Sequence, residues 1–258
     1  MKPMRNHQRN RNNRRPYDRK DAEKSKVDTI METWIPKTDI GKKVKAGEIK
    51  NIDYILDAGI KILEPEIVDL LLPNLEQDLL AIGQSKGKFG GGKRSIWKQT
   101  QKKTKEGNKP TFATVALVGD RNGHVGIGYG KAKETVPARE KAIRKAKLSI
   151  MKIRRGCGSW ACDCGESHSI PLKTKGKMSS VIVELIPAPK GTKLVIQGQL
   201  KKILDFAGVK DVYSHTEGQT KTGLNLIKAC MESLQNLNLV KINKDFEKRS
   251  GLIEGNKK

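Results

Sequence analysis

An α+β chain of two successive sheet-and-helix units, preceded by a basic arm, is the fold class this sequence predicts. Three observations predict it. Residues 111–134, TFATVALVGDRNGHVGIGYGKAKE, read as two strands about a turn and run directly into a helical pattern. Residues 169–237 alternate strand and helix signals a second time. Between the two lies CGSWACDCGESH, residues 157–168, which holds three of the four cysteines.

Composition bounds what such a chain does. Its 258 residues suffice for one large or two medium domains, and 36% hydrophobic content is lean but globular. Lys and Arg number 52 against 28 Asp and Glu, a net charge of +24. A chain so charged repels itself, so its working state is expected to include a polyanion. Nucleic acid leads, because each contacted phosphate releases counterions; an anionic membrane surface is the rival. No apolar run approaches the roughly 20 residues that span a bilayer, and the N-terminus lacks the apolar centre of a signal peptide. The expectation is a soluble, cytoplasmic protein with no membrane partner. Cys230 sits far off in LNLIKACMESL, which argues against a disulfide framework.

Residues 1–26 carry Arg5, Arg9, Arg11, Arg14, Arg15 and Arg19 and almost no aliphatic side chains. They are expected to form a disordered arm that contacts RNA. Residues 27–85 are expected to be a helical extension that caps the next domain. NIDYILDAGIKI places Ile52, Ile55, Leu56 and Ile60 on one face with Gly59 near its end. EPEIVDLLLPNLEQDLLAI resumes the helical period, ended or kinked at Pro73. Residues 86–109 hold nine Lys or Arg and one acid, Glu106, and their Gly-rich start predicts a long flexible loop. Phe89 and Trp97 among its cations suit stacking on bases or riboses.

In the first domain, 86–156, Phe112–Val118 reads as a covered strand and His124–Tyr129 as its partner, with Asn122-Gly123 as a type I′ turn. Gly126, Gly128 and Gly130 clear one face of the second strand for close backbone approach. Neither a P-loop nor a dinucleotide fingerprint fits this glycine spacing. A helix follows, with Thr135 as its cap and Ala138, Ala142, Ile143, Ala146 and Ile150 as a narrow stripe. Its opposite face carries Arg139, Lys141, Arg144, Lys145, Lys147 and Lys152, with Lys131 and Lys133 just before it. A basic loop, a hairpin and lysines at a helix start are the parts by which double-stranded-RNA-binding folds clamp an A-form helix. The RNA-contacting set is therefore Lys93, Arg94, Trp97, Lys98, Lys102, Lys103, Lys105, Arg121, Lys131, Lys133, Arg139, Arg154 and Arg155.

The cysteine stretch is spaced Cys157-x4-Cys162-x-Cys164-x3-His168. Three thiolates and an imidazole make a closed tetrahedral set suited to structural zinc, Zn2+, and Gly156, Gly158 and Gly165 give the loop turning freedom. The ion would pin the junction so that Arg154 and Arg155 present fixed charges to RNA. The alternative is three ordinary thiols, with a transient Cys162–Cys164 disulfide. In the second domain, 169–237, SSVIVELIPAP and KLVIQ read as strands, and QLKKILDFAG as a helix with Leu200, Ile203, Leu204 and Ala207 inward, closed by Gly208. VKDVYSHT reads as a further strand and TGLNLIKACMESLQNL as a final helix, a two-layer α/β arrangement. Residues 238–258 are left as a tail. His7, His124 and His215 have no carboxylate or thiol partner nearby in sequence and are assigned surface or packing roles.

These segments also carry a resemblance. GNKPTFATVALVGDRNGHVGIGYGKAKE with AREKAIRKAK, and later IPAPKGTKLV and LDFAGVKDVY, closely resemble the universal family of small-subunit ribosomal protein five. WIPKTDIGKKVKAGEI and the cysteine cluster resemble its archaeal branch. The resemblance implies a double-stranded-RNA-binding-like domain followed by an α/β domain with a four-stranded sheet. It implies a non-enzymatic partner of small-subunit ribosomal RNA and of neighbouring small-subunit proteins. It also implies a part in assembly, in shaping the path by which messenger RNA enters, and in decoding accuracy. Lys93–Lys109 matches the family's extended hairpin region that reaches into ribosomal RNA. Of the rival functions, a free-standing RNA chaperone would use the same first domain, whereas an RNA-modifying enzyme would need an acid–base pair that the sequence does not offer.

Overall fold

The computed structural model describes residues 31–85, 87 and 91–255. The basic arm 1–26, and Lys86, Lys88 and Phe89 of the basic run, lie outside them. Three short helices open the described chain: α1 (Asp39–Lys45), α2 (Ile52–Asp57) and α3 (Pro65–Leu71). Thr38 caps α1, its hydroxyl accepting from the Gly41 N–H at 3.1 Å, and Pro65 starts α3, where its missing N–H costs nothing. Trp34, Val44, Ile52, Ile55, Ile67 and Val68 form a small core that packs onto Ile150. Ile60 departs from the expected inward stripe: α2 stops before Gly59, which takes φ +67°, and Ile60 is left exposed.

Pro73 does end the helical run, but the chain beyond it turns to strand. Glu76–Leu80 is strand β1, at the edge of a five-stranded sheet. Its adjacent Leu79 and Leu80 reach opposite cores, the division a strand imposes on neighbouring side chains. The expected flexible loop is also a regular element. β2 (Lys98–Thr104) pairs antiparallel with the first half of β3 (Gly107–Gly119), closed by Gly107 at φ +117°. Its alternating Thr and Gln are compatible with a pleated ribbon, and Thr100 and Thr111 hydroxyls bond across the strands at 2.7 Å. β4 (His124–Ala132) returns along β3, and β5 (Ile150–Lys152) completes the order β1-β3-β4-β5.

The β3–β4 turn is not type I′. Arg121 and Gly123 have positive φ but Asn122 does not, and the Asp120 carboxylate accepts from the N–H groups of Asn122 (2.7 Å) and His124 (3.0 Å). Helix α4 (Thr135–Leu148) then crosses the sheet. Thr135 is its first residue and not its cap; Glu134 holds the cap position without a side-chain bond. Ala138, Ala142 and Ala146 are wholly buried. A methyl group added to Gly126, Gly128 or Gly130 would overlap the carbonyl oxygens of Ala146, Ala142 and Ala138 respectively. The close approach that the glycines allow is therefore that of α4 itself.

The chain passes β6 (Arg154–Arg155) into a four-stranded sheet of order β7-β8-β10-β9: β7 (Thr174–Met178), β8 (Val181–Pro187), β9 (Leu194–Val195) and β10 (Val212–Glu217). Helices α5 (Gly198–Phe206) and α6 (Gly223–Leu239) pack on it. The two units share one core. Leu80, Val115, Leu117 and Val125 of the first sheet join Val181, Leu185, Leu200, Ile203 and Leu204 of the second, while Ala116 and Val118 face α4. The closing residues are more than a tail. They form α7 (Lys244–Ser250) and β11 (Ile253–Glu254), which pairs antiparallel with β6.

Candidate metal centre and nucleic-acid interface

The cysteine loop hangs between β6 and β7 and is tied at both ends. Gly156 and Ser169 bridge each other, and the Cys157 N–H donates to the Ser250 carbonyl of α7 at 2.8 Å. Gly165 takes φ +62°, and a side chain on Gly251 would overlap the Gly165 carbonyl, so the end of α7 lies directly on the loop. These restraints gather one donor atom each from Cys157, Cys162, Cys164 and His168, all within 4.8 Å of one another.

The imidazole is oriented for this cluster. His168 Nδ1 bonds the buried Asp211 carboxylate at 2.9 Å, which leaves Nε2 facing the thiols, 3.9 Å from Cys162 Sγ. Asp211 is itself held, its second oxygen accepting from the Lys193 N–H at 2.7 Å. A carboxylate behind a ligating histidine fixes tautomer and ring angle. The Cys162 thiol is pushed down to about 6, first by a hydrogen bond from the Lys190 backbone and then by Cys164. Burial pushes Cys157 up to about 11. A tetrahedral zinc with thiolate bonds near 2.3 Å separates its sulfurs by about 3.7 Å, so this donor set fits such an ion with small adjustment. Cys230, wholly buried on α6 with its thiol pushed up to about 12 by burial, takes no part.

The expected RNA-contacting residues divide into three groups. Lys98, Lys102, Lys103 and Lys105 are exposed on the β2–β3 ribbon, and among the described residues none of them forms an ion pair. Lys102 stands directly opposite Lys109 in the register. Like charges so placed repel, and an anion relieves them. Lys131, Lys133 and Arg139 are exposed where β4 passes into α4, with Lys141, Arg144 and Lys145 along the helix. Lys147 is instead paired with Asp69 at 2.7 Å.

The second group sits at the base of the ribbon. Lys93 is exposed, Trp97 is half-buried, and the Arg94 guanidinium donates to the Lys221 carbonyl at 3.0 Å, beside the start of α6. The third group is used internally. Arg121 pairs with Glu76 at 2.8 Å and lies over the Phe206 ring. Arg154 bonds Glu254 at 2.5 Å and the carbonyls of Leu237 and Val240. Arg155 is buried against Asn122 and the Gly255 carbonyl. The expectation that Arg154 and Arg155 face RNA is thus corrected, because β11 and the β3–β4 turn enclose them.

Two histidines assigned no nearby carboxylate have one: exposed His215 meets Glu217 at 3.2 Å, and His124 makes the more consequential contacts. It is wholly buried, with Nδ1 2.6 Å from Asp120 and Nε2 2.8 Å from Asp53 of α2. Burial opposes its charge, but hydrogen bonds and charge from Asp120 and Asp53 raise its pKa above the ordinary value. Asp120, four residues earlier at the other end of the turn, was the available signal; Asp53 was not foreseeable from local spacing.

Comparison with known proteins agrees with this architecture. Residues 96–154 match the family model for ribosomal protein S5, N-terminal domain, and residues 176–249 the one for its C-terminal domain. Among similar curated proteins, a small ribosomal subunit protein uS5 of Nanoarchaeum equitans is 48% identical over 225 residues, covering 87% of this chain and 96% of the relative. That of Methanococcus maripaludis is 46% identical over 236 residues, covering 92% and 97%. That of Methanocaldococcus jannaschii is 45% identical over 225 residues, covering 87% and 97%.

Proposed function

Because the chain belongs to the ribosomal protein S5 family, we propose that it is a structural, non-catalytic component of the small ribosomal subunit that binds ribosomal RNA. The observation that carries this reading is the exposed, unpaired lysine array on the β2–β3 ribbon and at the start of α4. Cations that repel one another in the free protein are matched when they meet phosphates. The ribbon would enter folded RNA while the α4 face and Lys131 and Lys133 lie against an adjoining duplex, reading shape before sequence. Its setting is the cytoplasmic ribosome, and its further partners are neighbouring small-subunit proteins. A position beside the path by which messenger RNA enters, with an influence on decoding accuracy, is the finer part of the same reading.

Cys157, Cys162, Cys164 and His168 would hold a structural zinc ion, which when bound supplies a crosslink and no chemistry. The protein's own contribution is Asp211, which sets the His168 ring, and the Ser250 carbonyl, which anchors Cys157. Sedimentation tests the main reading. The full chain is expected to remain with small subunits through washes at high salt. Release at modest salt would point to the free-standing RNA binder, since non-specific phosphate contacts are the first to be lost as salt rises.

A further inference from the structure

We propose that the cavity between the foot of the β2–β3 ribbon and the start of α6 holds one nucleotide of single-stranded RNA, with its phosphate at the helix N-terminus and its ribose hydroxyl on Gln199. This site rests on the ribosomal reading for its setting, and it lies apart from the tip of the ribbon and from the basic face of α4. The cavity measures about 330 Å³. Arg94, Lys98 and Lys221 line it and no Asp or Glu does. Among the described residues none of the three cations forms an ion pair.

Gly223 and Leu224 border the same space, which sets the opening turn of the 17-residue helix α6 against it. That turn holds no acid, and Thr222, at the cap position, makes no side-chain bond to it. The N–H groups that open a helix and the positive end of its dipole suit a phosphate, and the three cations around them add to the attraction.

Gln199 narrows the anion to RNA. It stands on the first turn of α5 and is only 9% exposed, and its amide nitrogen donates to the Ala81 carbonyl. Its Oε1 is buried with no hydrogen-bond partner among the described residues. This oxygen faces the bare α-carbon of Gly223: a methyl group built there would stand 3.3 Å from Oε1 and 3.4 Å from Arg94 Nη1. An orphaned buried acceptor is unfavourable until a donor reaches it. A phosphodiester oxygen has no proton to donate. The 2′-hydroxyl of the adjoining ribose does, and it is the group by which a protein tells RNA from DNA. Arg94 donates to the Lys221 carbonyl at 3.0 Å in the free chain, and its turn toward a phosphate opens the way to Oε1. Tyr129 is exposed and borders both this cavity and the apolar one beside it, lined by Ile127, Met151 and Met231. Its ring is a surface on which the base can stack.

The test follows the backbone N–H signals of Gly223 and Leu224 by nuclear magnetic resonance in the free full chain with zinc present. A uridylate RNA tetramer is expected to shift both signals to saturation. The same tetramer built on 2′-deoxyribose should bind about three- to tenfold more weakly by these signals, and inorganic phosphate more weakly still. Arg94→Gln should weaken the RNA tetramer about tenfold. Signals that do not move, equal midpoints for the RNA tetramer and either of the other two probes, or an unchanged midpoint in Arg94→Gln overturn the site. A chain that responds as expected but never joins small subunits refutes the ribosomal reading and leaves the site standing.

Discussion

Asp53→Asn is the most informative single change, because it alters charge at the buried histidine while keeping shape. Asp53 reaches His124 Nε2 from α2 at 2.8 Å, and Asp120 holds the other ring nitrogen at 2.6 Å. With the imidazole wholly enclosed, the variant loses a charge-assisted hydrogen bond worth about 1.5–3 kcal/mol but keeps Asp120, so the loss is smaller than for an orphaned buried charge. The sign of the pH dependence comes from the directions of the shifts. His124 is raised from 6.5, so its contribution is fully present below that value and lost as pH rises through the folded-state pKa. Burial would raise Asp120, but its bonds to His124 lower it below 3.8, so its contribution is present above 3.8 and lost as pH falls through the folded-state value. Arg155, whose own charge burial opposes, faces Asp120 from β6 throughout. Denaturant unfolding of the full chain, with zinc held constant, should show wild type ahead of the variant by the full amount below pH 6.5 and by less once pH has risen through the folded-state pKa of His124. A difference that is flat with pH, or that grows toward alkaline pH, would refute an imidazolium between two carboxylates.

Three further outcomes are expected. Gly128→Ala drives a methyl group into the Ala142 carbonyl and the Ala146 backbone nitrogen, and should cost about 1–3 kcal/mol in unfolding. Gly198→Ala, with open space around it, should stay within about 0.5 kcal/mol, and equal effects would contradict the glycine–helix contact. Asp211→Asn should weaken zinc binding about 10–100-fold, measured by competition with a coloured chelator; unchanged affinity would remove Asp211 from its role behind His168. Replacing Lys102, Lys103 and Lys105 together with Ala should lower the slope of log affinity against log salt by roughly 2–3 without base preference, and a wild-type slope would move RNA binding off the ribbon.

The parts that were legible in the sequence are those governed by local spacing. Gly126, Gly128 and Gly130 opposite an alanine stripe specify a strand under a helix, and the donors from Cys157 to His168 lie within twelve residues. What spacing could not reveal depends on partners far along the chain. Arg154 and Arg155 read as free cations until Glu254, Asn122 and Gly255 surround them. Glu76–Leu80 looks helical because its apolar residues extend a helical run, yet the free edge of β3 supplies hydrogen bonds that favour an extended chain. The ribbon reads as a loop because its side chains face solvent on both sides, which erases the usual alternation. The single core beneath both sheets is equally hidden, since strand patterns show that a face is buried but not against what.

The pairing of β11 with β6 also orders events in time. Glu254 receives Lys152 and Arg154, and Gly255 sits against Asp53, so residues near position 53 wait for residues near position 255. At ordinary rates of synthesis that interval, about 200 residues, lasts on the order of 10–40 s. Until Glu254 and Gly255 are made, Arg154 and Arg155 lack the partners that close this junction, so β11 is the last piece of the seam between the two sheets.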